Sequence, residues 1–194
     1  MTGVQTCALP IYEFEDRGAQ SLAGAENRLQ DRAKGSRIVV PDETFEEVYR
    51  VPFGDMEIQA LHLGPSHSPG DIVVWMPEQS LVIAGDIAFH ERMLPIFEDT
   101  ITIDWLETWE EEFERLAATY VIPGHGHPTN MAQVRRYTRD YLVYLRETVG
   151  EHLDAGGDLA GAYYVDQSPY SHLDTFEELA TKNAGRVFEQ MEFE

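Results

Sequence analysis

The sequence predicts a protein of the α/β class. Short apolar or alternating runs, which are typical of β-strands, occupy residues 38–85. After residue 104, helical spacings of apolar residues alternate with one further short strand. Two of the strands are almost continuously apolar, as expected where both faces of a sheet are covered. These patterns favour a sandwich of sheet and helix layers around one core.

The composition limits the classes of molecule that the protein can bind. The chain has 194 residues, which suits one domain, and its formal net charge is −21. It contains no run of Lys or Arg, so the phosphate backbone of a nucleic acid and an anionic membrane would both be repelled. The longest apolar stretches, such as Ile72–Met76, are too short to span a bilayer. We therefore expect no nucleic acid or membrane partner; the oligomeric state stays open.

A single cysteine, Cys7, excludes an internal disulfide and any cysteine-based zinc cluster. It lies in the string Met1–Ile11, which resembles the translation of a short-read sequencing adapter. We expect residues 1–11 to be non-native, with native sequence from about Tyr12 and a longer parent protein; an ordinary N-terminus is the alternative. If the true start is missing, no export signal can be expected, and both cytoplasm and periplasm stay open.

The first elements are a helix and three strands. Leu22, Ala25, Leu29 and Ala33 follow helical spacing within a polar segment and predict a surface helix that ends near Gly35. Short strands are predicted at Ile38–Val40, Glu47–Val51 and Met56–Leu63.

The next two strands, Asp71–Met76 and Leu81–Gly85, flank a four-residue loop from Pro77 to Ser80 and predict a β-hairpin. Trp105, Trp109 and Phe113 then mark a helix, with Asp104 and Glu107 as its predicted N-terminal capping pair. The last predicted elements are a strand at Tyr120–Ile122 and helices at Met131–Leu153 and Thr175–Gln190.

Three loops carry residues suited to chemistry: Ser-His-Ser-Pro-Gly-Asp from residue 66, Gly85-Asp86, and Pro-Gly-His-Gly from residue 123. Each is weak alone, because such loops are usually solvated turns. The start of one hairpin strand and the end of the next lie at one sheet edge, so His67 and Asp86 should be neighbours. The strand ending at Ile122 brings His125 to the same edge if it runs alongside. Two imidazoles and a carboxylate there predict a divalent-metal site.

From about Ile38 to Leu145 the sequence resembles the metallo-β-lactamase superfamily, in particular its glyoxalase II-like and related hydrolases. The resemblance implies that His67 binds a first zinc, that Asp86 bridges two zincs at the catalytic centre, and that His125 binds the second. The other histidines are not assigned as ligands. His127 is expected to be exposed to solvent, with a position beside the metal ligands or at the rim of the site as the alternative, and His90 is a candidate for the border of the substrate pocket.

The family's leading motif, His-x-His-x-Asp-His, is missing, because no histidine precedes His62. We therefore expect a metallo-β-lactamase-like αββα sandwich whose N-terminal strands and first metal-binding motif are absent. Residues 12–155 would form this partial domain, with residues 156–194 as a helical extension packed on it. Two Zn²⁺ ions are implied for the intact parent and at most one, weakly bound, for this chain, because catalytic zinc usually has three protein ligands.

The resemblance implies a zinc-dependent hydrolase of ester, thioester, lactone or amide bonds in the parent, with this chain inactive or impaired. Asp86 favours a glyoxalase II-like thioesterase or a lactonase, since the β-lactamases of the superfamily commonly have Cys or Ser at that turn. One alternative is a non-catalytic binding protein of the same fold. Another is an unrelated α/β protein whose loops match by chance.

Overall fold

The computed structural model describes residues 11–39 and 43–194, with side chains from residue 18 onward. These residues fall into two compact units, which meet in sequence between Glu46 and Glu47. The string predicted to be non-native lies outside the described residues apart from Ile11. In the described part of the chain, no helix is long and apolar enough to cross a membrane.

The first unit consists mainly of helix α1, Ile11–Leu29, which continues as a 3₁₀ turn over Gln30–Ala33. The predicted surface helix is thus confirmed, and Gly35 follows it with φ of +90°. The strand predicted at Ile38–Val40 is wrong for Ile38 and Val39, while Val40 lies outside the described residues. The side chain of Ile38 instead lies against the backbone of α1 at Gly18.

The second unit contains one five-stranded sheet in the order β1-β2-β3-β4-β5. Neighbouring strands are antiparallel, except that β5 runs parallel to β4. The strands are β1 Val48–Phe53, β2 Met56–Leu61, β3 Val73–Met76, β4 Leu81–Phe89 and β5 Tyr120–His125. The α/β class is confirmed, and β4 and β5 extend further at their C-terminal ends than the sequence predicts.

The hairpin between β3 and β4 is confirmed with its four-residue loop. A 3₁₀ turn over Pro77–Gln79 leads to Ser80, whose φ of +48° closes the turn. Beyond the loop Met76 pairs with Leu81 and Val74 with Ile83. This register sends alternate side chains of both strands to opposite faces of the sheet.

One face of the sheet is packed. Val73, Val82 and Val121 are fully buried there and contact Trp109 and Phe113. Those aromatic side chains come from a helical segment that begins as α2, Thr102–Thr108, and continues as a π turn over Trp109–Phe113. The two tryptophans of this segment are therefore core residues.

The predicted capping pair of this segment is wrong, because α2 begins two residues before Asp104 and Ile101 at its N-cap makes no side-chain cap. The Gln190 side chain takes over the capping: its Oε1 accepts hydrogen bonds from the backbone N and the hydroxyl of Thr102, at 3.1 and 2.6 Å. A contact 88 residues away in sequence thus sets where α2 starts.

The predicted helix Met131–Leu153 is two helices, α3 Met131–Tyr137 and α4 Arg139–Asp154, with the break at Thr138. The Thr138 hydroxyl accepts a hydrogen bond from the Phe89 backbone N at 2.9 Å and donates to the Phe89 carbonyl at 3.2 Å. Both backbone groups of Phe89, the last residue of β4, are thereby hydrogen-bonded, and the helix is interrupted at Thr138.

The C-terminal helices form a second core with the segment that follows β4. Helix α4 packs there against α5, Leu159–Ala162, and α6, Phe176–Met191. Asn183 of α6 is fully buried, and its amide accepts from the Ile96 backbone N at 2.9 Å. The same amide donates to the Leu94 carbonyl at 2.7 Å and to the Tyr141 hydroxyl at 3.0 Å. This amide fixes the segment after β4 to the C-terminal helix.

We expect Asn183→Leu to lower the free energy of unfolding by about 3 kcal/mol, because the backbone groups that it satisfies become buried without partners. Urea denaturation measures the change. Lys182→Leu, at the exposed neighbouring position of α6, is the control and should stay within about 0.5 kcal/mol of wild type. Equal effects of the two substitutions would contradict the role of the amide.

The opposite face of the sheet is apolar but not buried, and we call it the open sheet face. The strand register places twelve side chains on it, all apolar or aromatic and none of them buried. The most exposed include Phe53 at 63%, Tyr120 at 60% and Ile83 at 40%. The members are Tyr49, Val51, Phe53, Met56, Ile58, Ala60, Val74, Met76, Leu81, Ile83, Tyr120 and Ile122.

Monomeric proteins rarely expose an apolar patch of this extent, so we expect the chain to self-associate through the open sheet face. Val51→Glu should reduce association, as measured by sedimentation velocity over a range of concentrations. Strand β1 offers a matched control in Val48→Glu, since Val48 has almost the same exposure (38% against 39%) but lies on the opposite face. A wild-type chain that stays monomeric throughout would contradict this expectation.

Candidate functional site

The three side chains singled out by the sequence meet at one edge of the sheet. His67 lies in the loop before β3, Asp86 lies in β4, and His125 is the last residue of β5. Because β5 is parallel to β4, its C-terminal end arrives where β4 carries Asp86, with Gly85 opposite Pro123 and Phe89 opposite His125. The hairpin and the parallel strand together deliver all three.

The carboxylate of Asp86 lies between the two imidazoles. Its Oδ2 is 3.8 Å from His67 Nε2, and its Oδ1 is 3.6 Å from His125 Nε2. The His67 side chain is 10% exposed, whereas those of Asp86 and His125 are 37% and 39% exposed. Each carboxylate oxygen therefore faces a different ring nitrogen, and one side of the group is open to solvent.

Aromatic packing fixes the orientation of His67. Its ring centroid lies 5.0 Å from that of Phe97, 5.7 Å from Trp105 and 5.8 Å from Phe89. The His67 carbonyl accepts a hydrogen bond from the Thr100 hydroxyl at 2.6 Å. Nδ1 of His67 is buried and has no hydrogen-bond partner in the described part of the chain. The ring is thus held by apolar neighbours with Nε2 directed at Asp86.

His125 stacks on Phe89, with ring centroids 5.2 Å apart and an interplanar angle of 21°. Its Nδ1 lies 3.0 Å from Nη1 of Arg92. Arg92 does not stand out in the sequence, because it belongs to no motif and its contact with His125 spans 33 residues. No local pattern could have revealed it.

The sequence model of the metallo-beta-lactamase superfamily matches residues 6–125, which is more than half of the chain. The chain belongs to this superfamily. A metallo-beta-lactamase type 2 of Bacteroides fragilis is 30% identical over 124 residues, covering 62% of this chain and 49% of that protein. One from Bacillus cereus is 26% identical over 116 residues, covering 58% and 44%. The chain thus spans about half the length of the curated relatives that it matches.

One solved structure has a fold similar to that of this chain. The inverting sec-alkylsulfatase Pisa1 from Pseudomonas sp. matches 80% of this chain and 27% of its own length, with a TM-score of 0.60 and 16% identity. At this identity the likeness concerns the fold alone.

Asp71 stabilises the turn in the loop that carries His67. Its carboxylate accepts hydrogen bonds from the Ser68 backbone N at 2.8 Å and the Ser68 hydroxyl at 2.7 Å. Burial raises the pKa of Asp71 above its usual value, whereas the bonds from Ser68 and the nearby His67 oppose the rise. Asp71 therefore fixes the conformation of the loop through its hydrogen bonds with Ser68.

Two glycines let the loop at residues 123–126 approach β4. A Cβ at Gly124 would lie 2.1 Å from Asp86 Oδ1 and 2.7 Å from the Gly85 carbonyl. Gly126 has φ of +91°, and a Cβ there would lie 1.9 Å from the carbonyl oxygen of His90. Neither position can hold a side chain without moving the backbone.

The neighbouring histidines lie outside this group. His127 is 85% exposed, and its Nδ1 is 2.6 Å from Glu91 Oε2. This hydrogen bond raises the pKa of His127 and lowers that of Glu91. His90 Nδ1 lies 2.9 Å from the His127 carbonyl oxygen. Within residues 11–39 and 43–194, no three His, Cys, Asp or Glu side chains are already arranged to hold one metal ion.

We expect Gly124→Ala to lower the free energy of unfolding by about 1–3 kcal/mol, because the added methyl group displaces Asp86 and the Gly85 backbone. Chemical denaturation measures the loss. Gly24→Ala, where a Cβ meets nothing within 4 Å, serves as the control and should be neutral or slightly stabilising. Unchanged stability of Gly124→Ala would show that the loop and β4 are less closely packed.

Proposed function

We propose that this chain carries part of the metal centre of a zinc-dependent hydrolase. The observation that supports this most directly is the Asp86 carboxylate, which presents one oxygen to His67 Nε2 and the other to His125 Nε2. Zinc takes imidazole nitrogen and carboxylate oxygen as ligands at about 2.0–2.2 Å, so two ligands of one tetrahedral ion lie roughly 3.3 Å apart. The observed separations of 3.8 and 3.6 Å need only a small closure to reach that spacing.

His67, Asp86 and His125 are of the chemical types that bind zinc, but they are too few for two zinc ions. If Asp86 bridges two ions, His67 and His125 give each ion only one further ligand, whereas catalytic zinc usually has three from the protein. One ion shared by all three side chains would reach that number. Weak binding of a single Zn²⁺ is therefore the proposal for this chain, and two ions require ligands beyond these three.

Bound zinc supplies Lewis acidity and a water activated near neutral pH. The residues of the chain supply orientation, charge and access for the substrate. The packed ring of His67 keeps its Nε2 directed at Asp86, and the Asp86 charge offsets that of a bound cation. The part-exposed Asp86 and His125 leave an open side from which a carbonyl substrate can approach.

The proposed substrates are small molecules with an ester, thioester, lactone or amide bond. The curated relatives are named metallo-beta-lactamases, which suggests a lactam amide as one candidate. An aspartate at position 86 favours instead the thioesters or lactones of a glyoxalase II-like enzyme. The net charge of −21 argues against nucleic acid.

A second candidate function is that of a non-catalytic binding protein with the same fold. The contact between Arg92 and His125 Nδ1 favours it, because a histidine engaged by a guanidinium is a poor metal ligand. The two candidates differ in whether zinc binds with His67, Asp86 and His125 as its ligands.

We expect equilibrium dialysis to detect Zn²⁺ on the wild-type chain and little on His67→Ala, Asp86→Asn or His125→Ala. His172→Ala, an exposed histidine outside the site, is the matched control and should keep wild-type zinc. In parallel, a nitrophenyl ester, an aryl thioester and a chromogenic cephalosporin would be assayed with this chain and with one extended by the N-terminal segment of a related intact protein.

Zinc loss confined to the three site variants, with turnover of at least one substrate by the extended chain, would support the hydrolase. Zinc binding without turnover would favour the binding protein. Equal zinc on all variants would remove the site assignment.

A further inference from the structure

The contact between Arg92 and His125 determines which ring nitrogen of His125 carries hydrogen. A guanidinium stays protonated in proteins and has donors but no acceptor. Arg92 Nη1, 3.0 Å from His125 Nδ1, therefore donates to that nitrogen, which must offer a lone pair. In a neutral imidazole the other nitrogen then carries the hydrogen. His125 is thus held with its hydrogen on Nε2, the atom that faces Asp86 at 3.6 Å.

Metal ligation through Nε2 needs the opposite arrangement. A ligand nitrogen offers its lone pair to the ion, and the remaining nitrogen of the ring then bears hydrogen. That hydrogen would point from Nδ1 at the guanidinium, so two donors would face each other over 3.0 Å. The Arg92 contact and a metal ion on His125 Nε2 therefore exclude each other.

The fold holds Arg92 in this position. Its backbone is bridged to Asp174, where the Met93 N donates to the Asp174 carbonyl and the Asp174 N donates to the Glu91 carbonyl, both at 3.0 Å. Asn183 fixes the residues that follow, through Leu94 and Ile96. The C-terminal segment thus anchors the backbone on which Arg92 sits.

The guanidinium has no competing carboxylate. Among the described residues none lies within salt-bridge distance of Arg92, and its Nε is buried without a hydrogen-bond partner. Arg139, in contrast, pairs with Glu110 at 2.6 Å and Asp140 at 3.3 Å. His125 is therefore the hydrogen-bond acceptor that Arg92 has in this part of the chain.

We propose that Arg92 is a lock on the metal centre: it holds His125 in the tautomer that cannot bind a divalent cation through Nε2, and the cation binds there only when the guanidinium leaves Nδ1. This rests on the proposed metal site and adds a positioning residue that controls its occupancy. Removal of the guanidinium should raise the affinity for Zn²⁺.

The first test uses the metal-free full-length chain. Long-range ¹H–¹⁵N correlation spectra distinguish the two tautomers of a histidine. The wild-type spectrum should show His125 with hydrogen on Nε2, and Arg92→Met, which keeps an unbranched apolar side chain but has no hydrogen-bond donor, should lose that preference. Arg139→Met removes the same charge from an arginine that pairs with Glu110 and Asp140 instead of His125, and it should retain the preference. A change of charge alone cannot produce this difference.

The second test measures Zn²⁺ affinity by competition with a chromophoric chelator. Arg92→Met should bind zinc about 10–100-fold more tightly than Arg139→Met, the range that partners of metal ligands commonly control. A wild-type His125 with hydrogen on Nδ1, or equal affinity of the two variants, would overturn the lock.

The two proposals fail in different ways. Zinc binding that needs His67, Asp86 and His125 but does not respond to Arg92 would remove the lock and leave the metal site. A full Arg92 effect with no hydrolysis by the extended chain would leave the lock and remove the hydrolase. Absence of zinc from every variant would remove both.

Discussion

The pairing of β4 with two different strands is the constraint on which the rest of the structure depends. Its antiparallel partner β3 brings the loop of His67 to one side of Asp86, and its parallel partner β5 brings His125 to the other. A slip of one residue in this register would turn Asp86 and the buried Val82 to the wrong faces of the sheet. The same register therefore sets both the packed core and the site.

Short-range patterns predicted what depends on short-range physics. The hairpin between β3 and β4 follows from two apolar runs and a four-residue loop, and with it the proximity of His67 to Asp86. The proximity of His125 additionally requires β5 to lie parallel beside β4, which the sequence allowed but could not fix. The ligand roles that we propose for the three residues rest on the family resemblance; the superfamily match supports the resemblance, and geometry alone does not assign the roles.

The missed features depend on partners far away in sequence. Helix α2 starts where the Gln190 side chain accepts a hydrogen bond from the Thr102 backbone N. The break between α3 and α4 lies where the Thr138 hydroxyl forms hydrogen bonds with the backbone of Phe89. Arg92 acquires its relation to His125 only when β5 ends beside the segment after β4. In each case one side chain forms a hydrogen bond with backbone or ring atoms far away in sequence, and the spacing of apolar residues does not reveal such a bond. A prediction from spacing alone therefore makes helices longer and more continuous than they are.

The open sheet face bears on the fate of the chain in a cell. Exposed β-type apolar surface is the feature by which incompletely folded proteins aggregate and through which chaperones hold them. A chain with such a face is sorted between chaperone, protease and aggregate for as long as the face stays uncovered. The amount of the chain in the cell will then depend on how much of a partner surface is available to cover this face. A substitution of Phe53 or Ile83 that leaves the proposed metal site unchanged can still alter how much protein accumulates.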